Sequence, residues 1–279
     1  MSLGIVIKGP EGLVLAAESR VTIGAQMQDG QKVHANFDNA TKLLSFSGEN
    51  GHTGVVTYGL AAIGLRTAHS FMPEFEDRLP PKKRLAVQDF AKSLSDFFME
   101  QWKAAMPPDF PGPGMTFVVG GFNEGESYGR VFLVEIPGSP DPVEQQRNPG
   151  EFGITWGGQR EFVDRLIQGY DEGLLDIVSR TLEIGPEQVQ SLKKSLEVLQ
   201  MRIPLPAMPL QDCVDLAIFF IRTVVTAQRL TVGIRGCGGP IDVATITRWE
   251  GLRFVQRKEI VGEMGTALRA GERRPPWIS

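Results

Sequence analysis

The chain has 279 residues, 42% of them hydrophobic and 22% charged, with 32 Gly and 19 Pro. This composition suits a globular protein with a large core and excludes a disordered, collagenous or repeat-built chain. A net charge of −4 argues against a general nucleic-acid binder, which carries a basic excess.

From the N-terminus, Leu3–Lys8 and Gly12–Ala17 are short apolar runs joined by Gly9-Pro10-Glu11-Gly12, and they predict a β-hairpin. The polar stretch 24–40 reads as loop with at most an edge strand. Lys42–Phe46 and Gly54–Leu60 read as strands. Helical spacing is expected over 60–78 and 84–105, with Leu85, Phe90, Leu94, Phe97 and Phe98 on one side. The Phe90, Phe97, Phe98, Trp102 cluster reads as core. Pro107–Pro113 stops that segment.

Strand signals return at 116–120 and 130–136. Helical segments are predicted near 159–179, 186–200 and 212–229, the last with Asp212 as its N-cap. Strands at 241–247 and 252–256 follow. Strands come in groups and helices in pairs, which predicts an α+β fold with antiparallel sheets in one domain spanning 1–279.

Cys213 and Cys237 are too few for a disulfide framework, and His34, His52 and His69 lack metal-ligand spacing, so neither a metal nor a cofactor is expected. Gly236–Gly239 lacks the Lys and Ser or Thr of a phosphate loop. The first residues lack a basic region followed by an apolar run, and the most apolar stretch, Cys213–Ala227, is broken by Asp215 and Arg222. No signal peptide, no membrane span and a cytoplasmic location are therefore expected.

Gly12-Leu-Val-Leu-Ala-Ala-Glu-Ser-Arg-Val-Thr22 is similar to the second-strand signature of proteasome-type β-subunits. Thr41-Lys42-Leu43 is similar to the lysine segment, and Thr116–Phe122 to the central strand. Asp212–Ile221 with Gly238–Thr247 is similar to the last helix and strand. The blocks occur in order over most of 3–257. The resemblance implies a four-layer αββα sandwich of the N-terminal-nucleophile hydrolase type, assembled with copies of itself into stacked rings and acting on polypeptides. It also admits an ATP-dependent unfoldase as a partner.

In that family a terminal hydroxyl attacks the peptide carbonyl and the free α-amine, whose pKa lies near 8, acts as base. Carried over, Glu18 takes the place of the acid, Arg20 that of the motif arginine, Lys42 that of the lysine, and Gly59 that of the glycine whose N–H binds the oxyanion. Counting back from Glu18 without gaps puts Ser2 on the nucleophile position, exposed if Met1 is removed. Aligning Gly4 on the family's first-strand glycine instead puts that position ahead of Met1, with about two extra residues in the turn.

Two supporting residues differ. Gly158 stands where the family has a Ser, and Leu230 where it has an Asp. The first expectation is a self-compartmentalising peptidase with Ser2 as nucleophile. The second is a catalytically silent ring or scaffold subunit, and a weaker third is hydrolysis of small-molecule amides. Glu18 and Arg20 are as readily a structural ion pair as a catalytic one. Extra length is expected near 24–40, 106–114 and 180–210 and in a tail, 265–279, with these segments at subunit contacts or pore openings. The first strand following directly on Met1 implies that no propeptide needs cleaving.

Overall fold

A computed structural model of the chain describes residues 2–26, 32–233 and 235–261. The expected tail 265–279 lies outside them. The strands are β1 (Leu3–Lys8), β2 (Leu13–Glu18), β3 (Val21–Gln26), β4 (Lys32–Phe37), β5 (Leu43–Ser45), β6 (Thr53–Gly59), β7 (Ala62–Ile63), β8 (Arg66–Thr67), β9 (Met115–Gly121), β10 (Arg130–Ile136), β11 (Ser139–Gln145), β12 (Gly153–Gly158), β13 (Ile241–Thr247) and β14 (Gly251–Gln256). The helices are α1 (Met72–Arg78), α2 (Val87–Ala105), α3 (Glu161–Gln168), α4 (Gly173–Leu182), α5 (Pro186–Leu196) and α6 (Leu210–Leu230).

Two five-stranded antiparallel sheets dominate. One has the order β12-β1-β2-β13-β14 and the other β11-β10-β9-β6-β5. Side chains alternate across a strand. On β2, Leu13, Leu15 and Ala17 therefore join Val56, Val118 and Val131 of the second sheet, while Val14 and Ala16 meet Phe220, Ile221 and Val224 of α6. Both faces of β1 and β2 are buried, which is why they read as unbroken apolar runs. On the outer face of the second sheet, Phe75 of α1 and Phe90, Phe97 and Phe98 of α2 pack on Phe117 and Phe132. Apolar packing thus lies between the sheets and under helices on both outer faces, an α+β arrangement as expected.

Several elements differ from expectation. Within 24–40 the chain forms much of the β3–β4 hairpin, paired from Val21↔Phe37 to Gln26↔Lys32. The predicted helix over 60–78 is helical only from Ala68 on; β7 and β8 occupy its first half. The segment 159–179 is broken at Gly169, which has φ +85 and closes α3 in the left-handed region. Asp212 is not the N-cap of α6: the helix begins at Leu210 after Pro209, and the Leu210 N–H donates to Glu11 Oε2 at 2.7 Å. Strands β11 and β12 lie outside the elements that the sequence predicts. β11 holds Pro140 and Pro142, which a sheet edge tolerates.

Candidate functional site

Five strand ends meet at one end of the two sheets. Ser2 precedes β1, Glu18 ends β2, Lys42 precedes β5, Gly59 ends β6 and Gly158 ends β12. Glu18 is fully buried, so its charge needs partners inside the protein. Oε1 accepts from the Leu3 N–H at 3.2 Å and from Lys42 Nζ. Oε2 accepts from the Arg20 N–H at 2.7 Å and the Gly238 N–H at 2.9 Å. The Gly236–Gly239 turn thus presents its N–H to a carboxylate of the chain itself.

Lys42 is 4% exposed. Its ammonium donates to Glu18 Oε1 and to the Arg20 carbonyl. Burial pulls its pKa below the usual lysine value, against the opposing pull of Glu18. Lys42 and Ser2 both line a small cavity of about 20 Å³, together with Thr41, Thr57, Tyr58 and Met115. That volume is room for about one water. The Ser2 carbonyl accepts from the Gln159 N–H at 2.7 Å, which holds the start of β1 against the turn after β12.

Gly59 is not among the residues lining this cavity, although Tyr58 and Leu60 are. The Thr57 N–H donates to the Lys42 carbonyl at 2.9 Å, whereas the Leu60 N–H donates to the carbonyl of Gly114, just before β9, at 2.8 Å. Alternation along β6 therefore puts the Gly59 N–H on the same side as that of Thr57, the side of the segment that precedes β5. Gly59 has φ +88, and a Cβ there would run into the Gly114 carbonyl oxygen.

Arg20 joins the site through its backbone alone. Its guanidinium grips Asp38, with Nε to Oδ1 at 2.5 Å and Nη2 to Oδ2 at 2.8 Å, and Nη1 donates to the Arg235 carbonyl at 3.2 Å. The Arg20 hydrogen bonds hold the Asp38 carboxyl below its ordinary pKa. Of the two readings of Glu18 and Arg20, the structural ion pair between them is not formed among the described residues. Glu18 takes Lys42 and Arg20 takes Asp38, so the two side chains of the motif serve different partners.

Residue types alone missed Tyr58 and Asp38. Tyr58 lies against Gly4 and Gly157, where any side chain would collide with its ring. Burial pushes the phenol up to about 12. Its position just before Gly59 was the available signal. Cys237, also buried, lies close enough to Glu18 for that charge to add to burial in raising its thiol pKa.

The two departures have plain geometry. Gly158 has φ +94, and a Cβ there would fall on the Ser2 carbonyl oxygen, so no serine fits. Leu230 is 75% exposed at the end of α6. Among the described residues, no group of three His, Cys, Asp or Glu is placed to hold a metal ion, and no helix is long and apolar enough to cross a membrane.

No family model and no curated protein matches the chain. Solved structures do. The Gly-1 mutant of Anbu from Hyphomicrobium sp. strain MC1 matches at 16% identity and TM-score 0.55, over 94% of this chain and 88% of that one. Anbu from Yersinia bercovieri, described as an ancestral beta-subunit, matches at 16% identity and TM-score 0.53, over 91% and 86%. A helical assembly of the Anbu complex from Pseudomonas aeruginosa matches at 16% identity and TM-score 0.55, over 92% and 88%.

These likenesses show a shared fold. They also correct the expectation of a proteasome-type β-subunit homologue: the solved structures named above that share the fold are Anbu proteins, one of them described as an ancestral beta-subunit, at identities that show the fold alone.

Proposed function

We propose that the chain is an N-terminal-nucleophile hydrolase built as a four-layer αββα sandwich, which self-associates in the cytoplasm and cuts peptide bonds. The observation that carries this reading is the buried Lys42–Glu18 pair opening on a cavity that Ser2 also lines. Burying a lysine and a carboxylate is costly and is offset here by their hydrogen bonds, and a buried ion pair beside a cavity is a signature of functional sites. The helical assembly of the P. aeruginosa Anbu complex supports self-association by analogy.

In this mechanism Ser2, freed of Met1, offers its hydroxyl to the substrate carbonyl and its α-amine takes the proton. The Lys42 cation, on the same cavity as Ser2, lowers the amine's proton affinity and keeps it available as a base. Glu18 fixes Lys42, and the Gly59 N–H stabilises the oxyanion. Polypeptide is the substrate class in this reading.

The test is hydrolysis of fluorogenic peptides by the wild type, Ser2→Ala and Lys42→Met, on a species whose mass is known from light scattering. Loss of a positioned nucleophile and base predicts a fall of at least about 100-fold in each variant, in a particle larger than a monomer. Hydrolysis that survives both substitutions rejects the mechanism, and a monomer rejects the assembly.

One set of observations favours a second reading, a silent subunit of the same fold. The cavity holds about 20 Å³, Tyr58 forms part of its wall, and Gly158 excludes the supporting serine. That reading predicts a folded oligomer without hydrolysis.

A further inference from the structure

A second site lies at the opposite end of β1. From Leu3 to Lys8 the strand runs roughly 17 Å, so Lys8 is remote from Ser2. Lys8 is 2% exposed, and among the described residues its ammonium makes one hydrogen bond, to the Gln146 carbonyl at 2.7 Å. Among the described residues no carboxylate oxygen lies within 4 Å of it. The nearby acids are engaged elsewhere: Arg130 takes Glu144 through Nε and through Nη2 at 2.8 Å, and Glu126 through Nη1 at 3.1 Å. A buried ammonium normally has a counter-ion in contact, because an unpaired charge is expensive away from water. Burial accordingly pulls the Lys8 pKa down, with Glu144 and Glu151 only partly opposing it.

Lys8 also lines a cleft of about 580 Å³ with Ser127, Tyr128, Arg130, Glu144 and Arg147. That volume is in the range of small-molecule sites. Two hydrogens of the ammonium remain for a ligand. Arg147 stands at the rim, 82% exposed and 3.9 Å from Glu144. Pro149 and the ring of Tyr128, which meets Phe152 edge-on at 5.4 Å between centroids, form an apolar wall.

We propose that this cleft is a binding site for a small organic carboxylate with a flat apolar body, whose carboxylate supplies the counter-ion that Lys8 lacks and whose body lies against Tyr128 and Pro149. The site is independent of the Ser2 reading, and nothing in it requires hydrolysis.

Calorimetric titration of the full chain with benzoate tests it, with benzamide and inorganic phosphate as neutral and non-aromatic controls. Saturable binding of one benzoate per chain is expected, with both controls at least tenfold weaker. A charged hydrogen bond accounts for that ratio, and Lys8→Met should weaken benzoate at least tenfold while leaving benzamide unchanged. Should Lys8→Met fail to fold, Tyr128→Ala carries the test, because it should weaken benzoate several-fold while leaving acetate unchanged. No saturable benzoate binding, equal affinity for benzamide, or full affinity in a folded Lys8→Met or Tyr128→Ala overturns the proposal. Phosphate binding as tightly as benzoate overturns it as well.

Discussion

Glu18 shows how one side chain organises the start of the molecule. Four donors converge on its two oxygens, and three of them are backbone N–H groups from β1, Arg20 just after β2 and the Gly236–Gly239 turn. Lys42 therefore joins an acceptor already held in place. Gly158 is the other fixed point, since its backbone conformation and the Ser2 carbonyl leave no room for a side chain. Gly158→Ser should destabilise the protein by roughly 3 kcal/mol or more, since strain and steric overlap add; a thermal melt within a degree of wild type would contradict this. The Arg20–Asp38 pair makes a pH prediction. The folded-state pKa of Asp38 lies below its ordinary 3.8, so the folded state binds fewer protons there. Its stabilisation is complete above that pH and is lost as pH falls through the lower folded value. Acid melts of Asp38→Asn should lack this part of the pH dependence; an unchanged profile would contradict it. Asp38 is partly exposed, so the effect is small.

The helices divide into two kinds. α6 buries Cys213, Val214, Ala217, Phe220, Ile221 and Val224 against the first sheet, whereas α4 and α5 bury no residue. Phe220→Ala should cost about 3–5 kcal/mol, and Ile177→Ser on α4 should stay within about 0.5 kcal/mol. Comparable losses in denaturant melts would contradict this division. The same contrast explains what could be read in advance. Buried elements such as β1, β2, β9, α2 and α6 carry their packing in their apolar pattern, and all were found within a few residues. β11 and β12 are sheet edges with mixed polarity, and β7–β8 is too short for any period to register. The boundary of α6 was misplaced because Asp212 has the right chemistry for a cap, but Glu11, a residue 199 positions away from Leu210, supplies the acceptor. Lys42 beside Glu18 was legible as a motif. The Arg20–Asp38 pair and the Tyr58 wall were not, because both depend on contacts made only once the chain is folded.

Across the whole molecule, the two sheets bring the starts and ends of five strands to one point, and the residues singled out from sequence gather there, with the Arg20 side chain turned away to Asp38. The fold is shared with Anbu proteins at an identity too low to carry function with it. The proposed chemistry therefore stands or falls on Ser2. A peptide epoxyketone reacts with a hydroxyl and an α-amine on the same residue, so it reports an N-terminal nucleophile directly. Intact-mass measurement after exposure to it is the most direct test. The Ser2 mechanism predicts a chain lacking Met1 and carrying one inhibitor, with the adduct on Ser2 and absent from Ser2→Ala and Lys42→Met. Retained Met1, or an unmodified chain in which Ser2 is terminal, would contradict it.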